Sequence, residues 1–139
     1  MNYTIYTDGA YSSKRNQGGM AFVILKDNKI ITEFSKTVPN TTSNRMELGA
    51  IILALRCITK PIKSVTIISD SMYCIGCITL NWKRKKNQKM WAVFDNEFNR
   101  VQGLCDTITF KHTKGHCNDH WNNYVDRLAN LSSIYEDKN

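Results

Sequence analysis

The sequence has few acidic residues, an odd number of cysteines and no long hydrophobic run. Only 12 of its 139 residues are Asp or Glu, against 19 Lys or Arg, so the formal net charge is +7. A basic chain attracts polyanions, and nucleic acid is the default partner for such a surface. The longest apolar run is too short and too interrupted to span a bilayer, so we expect no membrane association.

Five cysteines favour a reducing compartment over a disulfide framework. Cys74 and Cys77 have C-x-x-C spacing, but no second such pair accompanies them and the stretch resembles a helix. Ordinary buried thiols are therefore favoured over a zinc or redox site. The first residues lack the features of a signal peptide, which favours a cytoplasmic protein.

The length suits a single domain over residues 1–139 with one hydrophobic core. Met1 lies just before the first predicted strand, and the end after Tyr135 is polar. Both features favour a complete protein, which we expect to be a monomer.

Because acids are scarce, their positions are informative. The first 94 residues hold only Asp8, Asp27, Glu33, Glu47 and Asp70. Asp27 lies in a predicted turn, and Glu33 is a polar position of an alternating strand. The other three lie at the end or inside of apolar segments, where a carboxylate costs free energy unless it is paired or binds a metal.

Alternation and apolar periodicity predict five strands and four helices. The predicted strands cover residues 2–8, 20–26, 30–38, 65–70 and 107–112, with a loop over residues 9–19. The predicted helices cover residues 46–59, 71–81, 88–101 and 120–135. The last helix has an apolar stripe that we expect to be buried, formed by Trp121, Val125, Leu128, Leu131 and Tyr135.

Two of the predicted strands end on an aspartate, Asp8 and Asp70. The first three strands have short connections and suggest an antiparallel meander. A helix precedes the fourth strand, so this strand should pair in parallel with the first. The two aspartates would then meet at one edge of the sheet, although each could instead cap the turn or helix that follows it.

Glu47 and the histidines allow more than one interpretation. Asn44 and Glu47 fit a capping box, but Glu47 could also point from the first helical turn toward Asp8. His112, His116 and His120 are each four residues apart, which would suggest a metal site on a continuous helix. Gly115 interrupts that helix, so a zinc cluster is disfavoured.

Asp126, on the last helix, is the fourth carboxylate beside apolar positions. Four carboxylates are hard oxygen ligands that suit Mg²⁺ or Mn²⁺, and they would repel one another strongly without divalent cations. Two ions about 3.5–4 Å apart form the usual arrangement for phosphodiester hydrolysis. A basic stretch from Lys83 to Lys89 could hold nucleic acid, so the pattern indicates a nuclease.

Five segments in this order resemble the type 1 ribonuclease H family over nearly the whole chain. The segments are Tyr6-Thr7-Asp8-Gly9-Ala10, Thr41-Thr42-Ser43-Asn44-Arg45-Met46-Glu47-Leu48, Ser69-Asp70-Ser71, Lys114-Gly115-His116 and Asp126-Arg127-Leu128-Ala129. The resemblance implies an α/β ribonuclease H-like fold, a five-stranded mixed sheet in order 3-2-1-4-5 flanked by helices. It also implies metal-dependent endonucleolytic cleavage of RNA in RNA–DNA hybrids, leaving a 3′-hydroxyl and a 5′-phosphate.

The resemblance also implies roles for individual residues. Asp8, Glu47, Asp70 and Asp126 would be catalytic carboxylates that bind two Mg²⁺ ions, with Mn²⁺ as a substitute. His116 would assist proton transfer or product release. Gly9 would let the backbone approach the substrate, Asn44 would contact the minor groove, and Thr42 would help bind a phosphate of the DNA strand.

Departures from the family pattern affect the remaining substrate-binding candidates. Ser43 replaces a common asparagine, and Met72 replaces a glutamine that touches a base edge in many members. Lys14 and Arg15 are candidate replacements for a phosphate contact of the first loop. Compared with bacterial relatives that carry a basic handle helix, most of the handle is expected to be deleted, which leaves a compact basic turn. The further substrate-binding candidates are Trp82, Lys83, Arg84, Lys85, Lys86 and, on the last helix, Asn122.

Three alternative hypotheses assign the chain a different function or origin. A non-catalytic hybrid-binding module of the same fold is disfavoured because all four carboxylates and His116 are present. A nuclease for branched DNA is disfavoured by the segment from Thr41 to Leu48. A domain cut from a reverse transcriptase polyprotein is disfavoured by the position of Met1.

Overall fold

One mixed β-sheet organises the protein in the computed structural model, which describes residues 1–114 and 119–135. The strands are β1 (Asn2–Ser12), β2 (Gln17–Lys26), β3 (Lys29–Pro39), β4 (Ile62–Ser69) and β5 (Cys105–His112). Their order in the sheet is β3-β2-β1-β4-β5, with β1 antiparallel to β2 and parallel to β4. This confirms the predicted fold and strand order.

Four helices flank the sheet in the described residues. They are α1 (Ser43–Arg56), α2 (Met72–Thr79), α3 (Gln88–Gln102) and α4 (His120–Ser133). None of them is long and apolar enough to cross a membrane.

Strand β2 shows how the sequence builds a sheet that is covered on both faces. Its residues Met20 to Leu25 are all buried, so the strand is a continuous apolar run. Phe22 and Ile24 pack into the main core with α1 and α3, while Val23 and Leu25 pack with Val125 of α4. Alternate side chains of a strand point to opposite faces, so α4 covers the face opposite to α1.

The predicted loop over residues 9–19 is wrong. Strand β1 continues to Ser12 and β2 begins at Gln17, with pairs from Gly9–Met20 to Ser12–Gln17. Only residues 13–16 form the turn, and Asn16 takes a positive φ of 48° there. The polar composition suggested a loop, but Asn supplies the left-handed residue that a tight turn needs, so backbone pairing extends through polar positions.

The predicted buried stripe of α4 is partly wrong. Leu131 is 55% exposed and Tyr135 is 60% exposed, whereas the buried side chains are Asn122, Val125, Ala129 and Ser133. The end of the helix is docked through its backbone: Thr37 Oγ1 donates to Ser132 O at 2.6 Å, and Gln17 Nε2 donates to Ser133 O at 3.0 Å. These bonds turn the small residues toward the sheet and the large apolar ones outward.

Candidate metal and catalytic site

Three aspartates from different elements meet at one edge of the sheet. Thr7 of β1 pairs with Ser69 of β4, so Asp8 and Asp70 follow paired positions on neighbouring parallel strands. Helix α4 brings Asp126 from the other face. Carboxylate oxygens of Asp8, Asp70 and Asp126 all lie within 4.8 Å of one another, as the parallel pairing predicted for the first two.

Glu47 reaches this cluster because α1 begins directly against β1. A Cβ atom on Gly9 would lie 2.3 Å from the backbone nitrogen of Glu47 and 2.4 Å from the carbonyl carbon of Met46. Only glycine permits that approach. The amide of Gly9 donates to Asp8 Oδ1 at 2.8 Å and also to Glu47 Oε1, so one N–H holds both carboxylates.

The capping-box interpretation of Glu47 is wrong. The N-cap of α1 is Thr42, whose hydroxyl accepts from the backbone nitrogen of Arg45 at 3.2 Å. Asn44 is therefore already inside the helix, and Glu47 accepts from β1 rather than from its own helix end. The first turn of α1 is satisfied without Glu47, which leaves this carboxylate available for the site.

Burial and mutual repulsion make the site costly when it holds only negative charge. Asp8 is 3% exposed and Glu47 is 7% exposed. Burial raises the pKa of Asp8, and its hydrogen bond with Glu47 and the charges of Glu47 and Asp70 raise it further. Burial also raises the pKa of Glu47, partly offset by the hydrogen bonds from Asp8 and the Gly9 amide. Both groups are thus poorly stabilised as anions by the protein alone.

The donor set fits a hard divalent cation. Asp8 Oδ2 is buried and has no hydrogen-bond partner in the described part of the chain. A buried carboxylate oxygen without a donor is costly, and a bound cation would satisfy it. Carboxylate oxygens are the ligands that Mg²⁺ and Mn²⁺ prefer. Among residues 1–114 and 119–135, Asp8, Asp70 and Asp126 form the one group with this spacing.

Two contacts that support the cluster were not assigned from the sequence. His112, at the end of β5, has Nε2 3.2 Å from the carbonyl oxygen of Asp70. Tyr6 donates from its hydroxyl to Asp119 Oδ2 at 3.0 Å, and the same carboxylate caps α4 by accepting from Trp121 N at 3.1 Å. Asp119 before an apolar-periodic segment is an N-cap signal, but its link to β1 has no sequence signal.

Asn122 and His116 are the remaining predicted site residues on α4 and in the segment before it. Asn122 is 2% exposed, one turn before Asp126, and its Oδ1 lacks a partner in the described residues. His116 lies outside the described residues.

The substrate-binding candidates near α1 form one connected surface. Thr42, Ser43 and Asn44 are exposed at the start of α1, and Lys14 and Arg15 are exposed in the turn between β1 and β2. Asn16 Nδ2 donates to Asn40 Oδ1 and Asn40 N donates to Asn16 O, both at 2.9 Å. This contact joins the turn to the segment that leads into α1.

The basic turn, residues 80–87 between α2 and α3, adjoins the same surface. Arg45 Nε donates to Asn87 Oδ1 at 3.1 Å, which links α1 to the turn between α2 and α3. Met72 and Trp82 are 41% and 45% exposed, and Lys83, Lys85 and Lys86 are exposed. Arg84 differs from these lysines because its guanidinium donates to both carboxylate oxygens of Asp95, at 2.8 and 2.9 Å.

The cysteines form no metal group with this spacing in the described residues. Cys74 and Cys77 are buried free thiols on α2, and burial raises the pKa of both. Raised pKa values keep thiols protonated and unreactive near neutral pH, as expected for packing residues.

Comparisons with known proteins match this chain to one family. The family model described as RNase H matches residues 1–133. A ribonuclease H of Chlorobium phaeovibrioides is 33% identical over 138 residues, with 93% of each chain covered. A ribonuclease H of a Thermoanaerobacter species is 37% identical over 135 residues, covering 90% of this chain and 85% of the relative.

Two solved structures share the fold. The N-terminal RNase H domain of a Mycobacterium tuberculosis protein, fused to maltose-binding protein, superimposes with a TM-score of 0.77 at 18% identity, covering 95% of this chain and 93% of that chain. RNase H1 of the halophilic archaeon Halobacterium salinarum gives 0.76 at 20% identity, covering 95% of this chain and 97% of that chain. With the family model and the curated relatives, these findings show that the chain belongs to the ribonuclease H family and is a ribonuclease H enzyme of the type 1 class, a nuclease and hydrolase.

Proposed function

We propose that this ribonuclease H hydrolyses the RNA strand of RNA–DNA hybrids by two-metal-ion catalysis and leaves 3′-hydroxyl and 5′-phosphate ends. The observation that supports this most strongly is the cluster of Asp8, Asp70 and Asp126, with ligand oxygens within 4.8 Å of one another. Asp8 Oδ2, which is buried and has no hydrogen-bond partner among residues 1–114 and 119–135, is a second observation that supports a cation at the same place.

Asp8, Asp70, Asp126 and Glu47 are the residues that would hold the metal ions. Two Mg²⁺ ions bound there would supply an activated water nucleophile and charge stabilisation for the leaving 3′-oxygen. Mn²⁺ prefers the same ligands and can substitute. The chain's contribution is to fix the carboxylates before substrate arrives, since the Gly9 amide holds both Asp8 and Glu47.

His116 is proposed to move a proton at the scissile phosphate or to assist product release. In the sequence it lies between β5 and α4, outside the described residues. An imidazole titrates near neutral pH, which suits it to either task.

Substrate binding is proposed along the connected surface beside the site. Thr42, Ser43 and Asn44 present hydroxyl and amide groups at the start of α1, where anions are also favoured by the helix dipole. The backbone at Gly9 is proposed to approach the RNA strand, whose 2′-hydroxyl distinguishes it from DNA. Met72, Asn122, Lys14, Arg15, Trp82 and the lysines of the basic turn complete the proposed contact set.

A substrate comparison tests this proposal. Labelled RNA–DNA hybrid, duplex RNA and branched DNA are incubated with the protein in Mg²⁺, in Mn²⁺ and in EDTA, and the termini are identified by end-specific labelling. We expect cleavage of the hybrid alone, on the RNA strand, with both metals and not in EDTA. Binding of the hybrid without cleavage would indicate a non-catalytic module, and preferential cleavage of branched DNA would indicate a different nuclease.

A further inference from the structure

The basic turn, residues 80–87 between α2 and α3, is held in place at several points. The amide of Trp82 donates to Gly76 O at 3.2 Å, and its indole lies so close to Gly76 that a Cβ there would be 2.2 Å from the ring. Tyr73 donates from its hydroxyl to Lys86 O at 3.5 Å. With the Arg45–Asn87 contact, these interactions fix both ends of a short, strongly basic segment.

Arg84 holds the middle of this turn and faces inward. Its guanidinium carbon lies 4.3 Å from the ring centroid of Trp91, a side chain that is 2% exposed. One guanidinium nitrogen, Nη1, also donates to both carboxylate oxygens of Asp95 on α3, at 2.8 and 2.9 Å. Trp91 is itself fixed, because its Nε1 donates to the Tyr73 hydroxyl at 3.0 Å.

The neighbouring lysines have the opposite character. Lys83, Lys85 and Lys86 are exposed, whereas Arg84 is only half-exposed. In the described part of the chain these lysines form no ion pair with an acid. The turn therefore divides its cations into one that is used inside the protein and three that remain available to a polyanion.

We propose that Arg84 and Asp95 are positioning residues for hybrid binding, which hold Lys83, Lys85 and Lys86 in the arrangement that contacts phosphates. This rests on the proposed function of the chain as a hybrid nuclease. Arg84 suits the role because its planar guanidinium lies over the Trp91 ring while Nη1 binds the Asp95 carboxylate. The compact ammonium of a lysine has no planar face to stack in this way. Asp95 thus promotes binding of a polyanion although it is itself an anion.

The sign of one mutational effect separates this proposal from direct phosphate binding by Arg84. Asp95→Asn removes a negative charge near the substrate and frees the guanidinium. If Arg84 bound phosphate directly, hybrid binding would stay the same or tighten. If Arg84 positions the turn, the lysines lose their arrangement and binding weakens despite the more favourable net charge.

The experiment measures KM, kcat and the salt dependence of hybrid affinity for Asp95→Asn, Arg84→Lys and Lys83→Ala. Asp106→Asn, which removes an acid from an exposed position of β5, is the matched charge control. We expect Asp95→Asn and Arg84→Lys to raise KM about three- to tenfold, because the turn would lose one or two phosphate contacts. The kcat of both variants should stay within about twofold of wild type. Lys83→Ala should lower the salt slope by about 1, and Asp106→Asn should change none of these quantities.

Three results would overturn the proposal. They are a KM for Asp95→Asn equal to or below that of wild type, full function of Arg84→Lys, or a fall in kcat with unchanged KM. Hybrid affinity is also measured in EDTA, without turnover. A wild type that binds hybrid but never cuts refutes the proposed function, while the affinities of the same variants still decide the role of Arg84 and Asp95.

Discussion

Asp8 determines how the site responds to pH before any metal binds. Its carboxylate is almost fully buried beside Glu47, and burial is the largest cause of the raised pKa of each group. In an unfolded chain the same side chains titrate near pH 4. The folded state therefore holds protons on these carboxylates at pH values where the unfolded chain has released them.

The pH dependence of stability follows with a definite sign. Above about pH 4.5 the native state binds more protons than the unfolded state, so the free energy of unfolding falls as pH rises. We expect the Tm of the metal-free protein to fall between pH 5 and pH 8, and Mg²⁺ or Mn²⁺ to restore more stability at pH 8 than at pH 5. Calorimetry in EDTA and in saturating metal measures both; a metal-free Tm that rises over this range would contradict the assignment.

Replacing the buried carboxylate should stabilise the metal-free protein. Asp8→Asn removes a carboxyl group that, on folding, must either bind a proton or carry a charge that is desolvated and repelled by its neighbours. A penalty of one pKa unit on the folded state corresponds to about 1.4 kcal/mol. Removing a penalty of that size would raise Tm at pH 8 by roughly 3–6 °C for a domain of this length. Asp126→Asn is the control, because Asp126 is exposed and its replacement should shift Tm much less. Equal shifts in the two variants would show that burial of Asp8 is not the cause.

At the scale of elements, the junction between β1 and α1 sets the geometry of the site. Gly9→Ala would place a Cβ 2.3 Å from the Glu47 backbone nitrogen and force α1 away from β1. We expect a loss of about 1–3 kcal/mol of stability from overpacking and a fall in kcat of at least about tenfold from displacement of Glu47.

Gly103→Ala is the matched control for this variant. Gly103 ends α3 with φ of −73°, and its added Cβ would come no closer than 3.4 Å to the carbonyl oxygen of Arg100. Alanine is compatible with that conformation, so stability should be unchanged or slightly higher. If Gly9→Ala behaves like Gly103→Ala in both Tm and kcat, the close approach does not position the site.

Helix α4 depends on Asp119 for both its start and its attachment to β1. Asp119→Ala removes the cap and the bond from Tyr6, each worth about 1 kcal/mol. Tyr6→Phe removes the Tyr6–Asp119 bond and keeps the cap. We expect Asp119→Ala to lower stability more than Tyr6→Phe, and both to reduce kcat because Asp126 lies on this helix. Unchanged kcat in both variants would show that Asp126 is positioned independently of this contact.

For the whole molecule, much of the site could be predicted from the sequence because Asp8 and Asp70 each come directly after a β-prone, apolar stretch. Strand β1 continues past Asp8 to Ser12, but the parallel pairing of β1 with β4 ends just before the two aspartates, and one helical crossover suffices to place them side by side. The extension of β1 and β2 through residues 9–19 could not be predicted in the same way. Their polar composition matches a loop, and only the backbone ladder shows the pairing.

Long-range contacts explain the other differences. Exposure of Leu131 and Tyr135 depends on hydrogen bonds from Thr37 and Gln17, which are over 90 residues away in the chain. The inward orientation of Arg84 depends likewise on Trp91 and Asp95 of α3. Residues 1–139 as a single domain, a shortened handle, a monomeric state and a cytoplasmic location stay predictions.

The central claim is that the carboxylate cluster around Asp8 binds the metal ions that cleave RNA. The most direct measurement compares wild type and Asp8→Asn with a labelled RNA–DNA hybrid in Mg²⁺, recording hybrid affinity and single-turnover cleavage on the same samples. We predict that Asp8→Asn binds the hybrid with an affinity close to wild type and cuts its RNA strand at least about 10³-fold more slowly, since a metal ligand and its charge are lost. Cleavage by Asp8→Asn at a rate near that of wild type would contradict the claim.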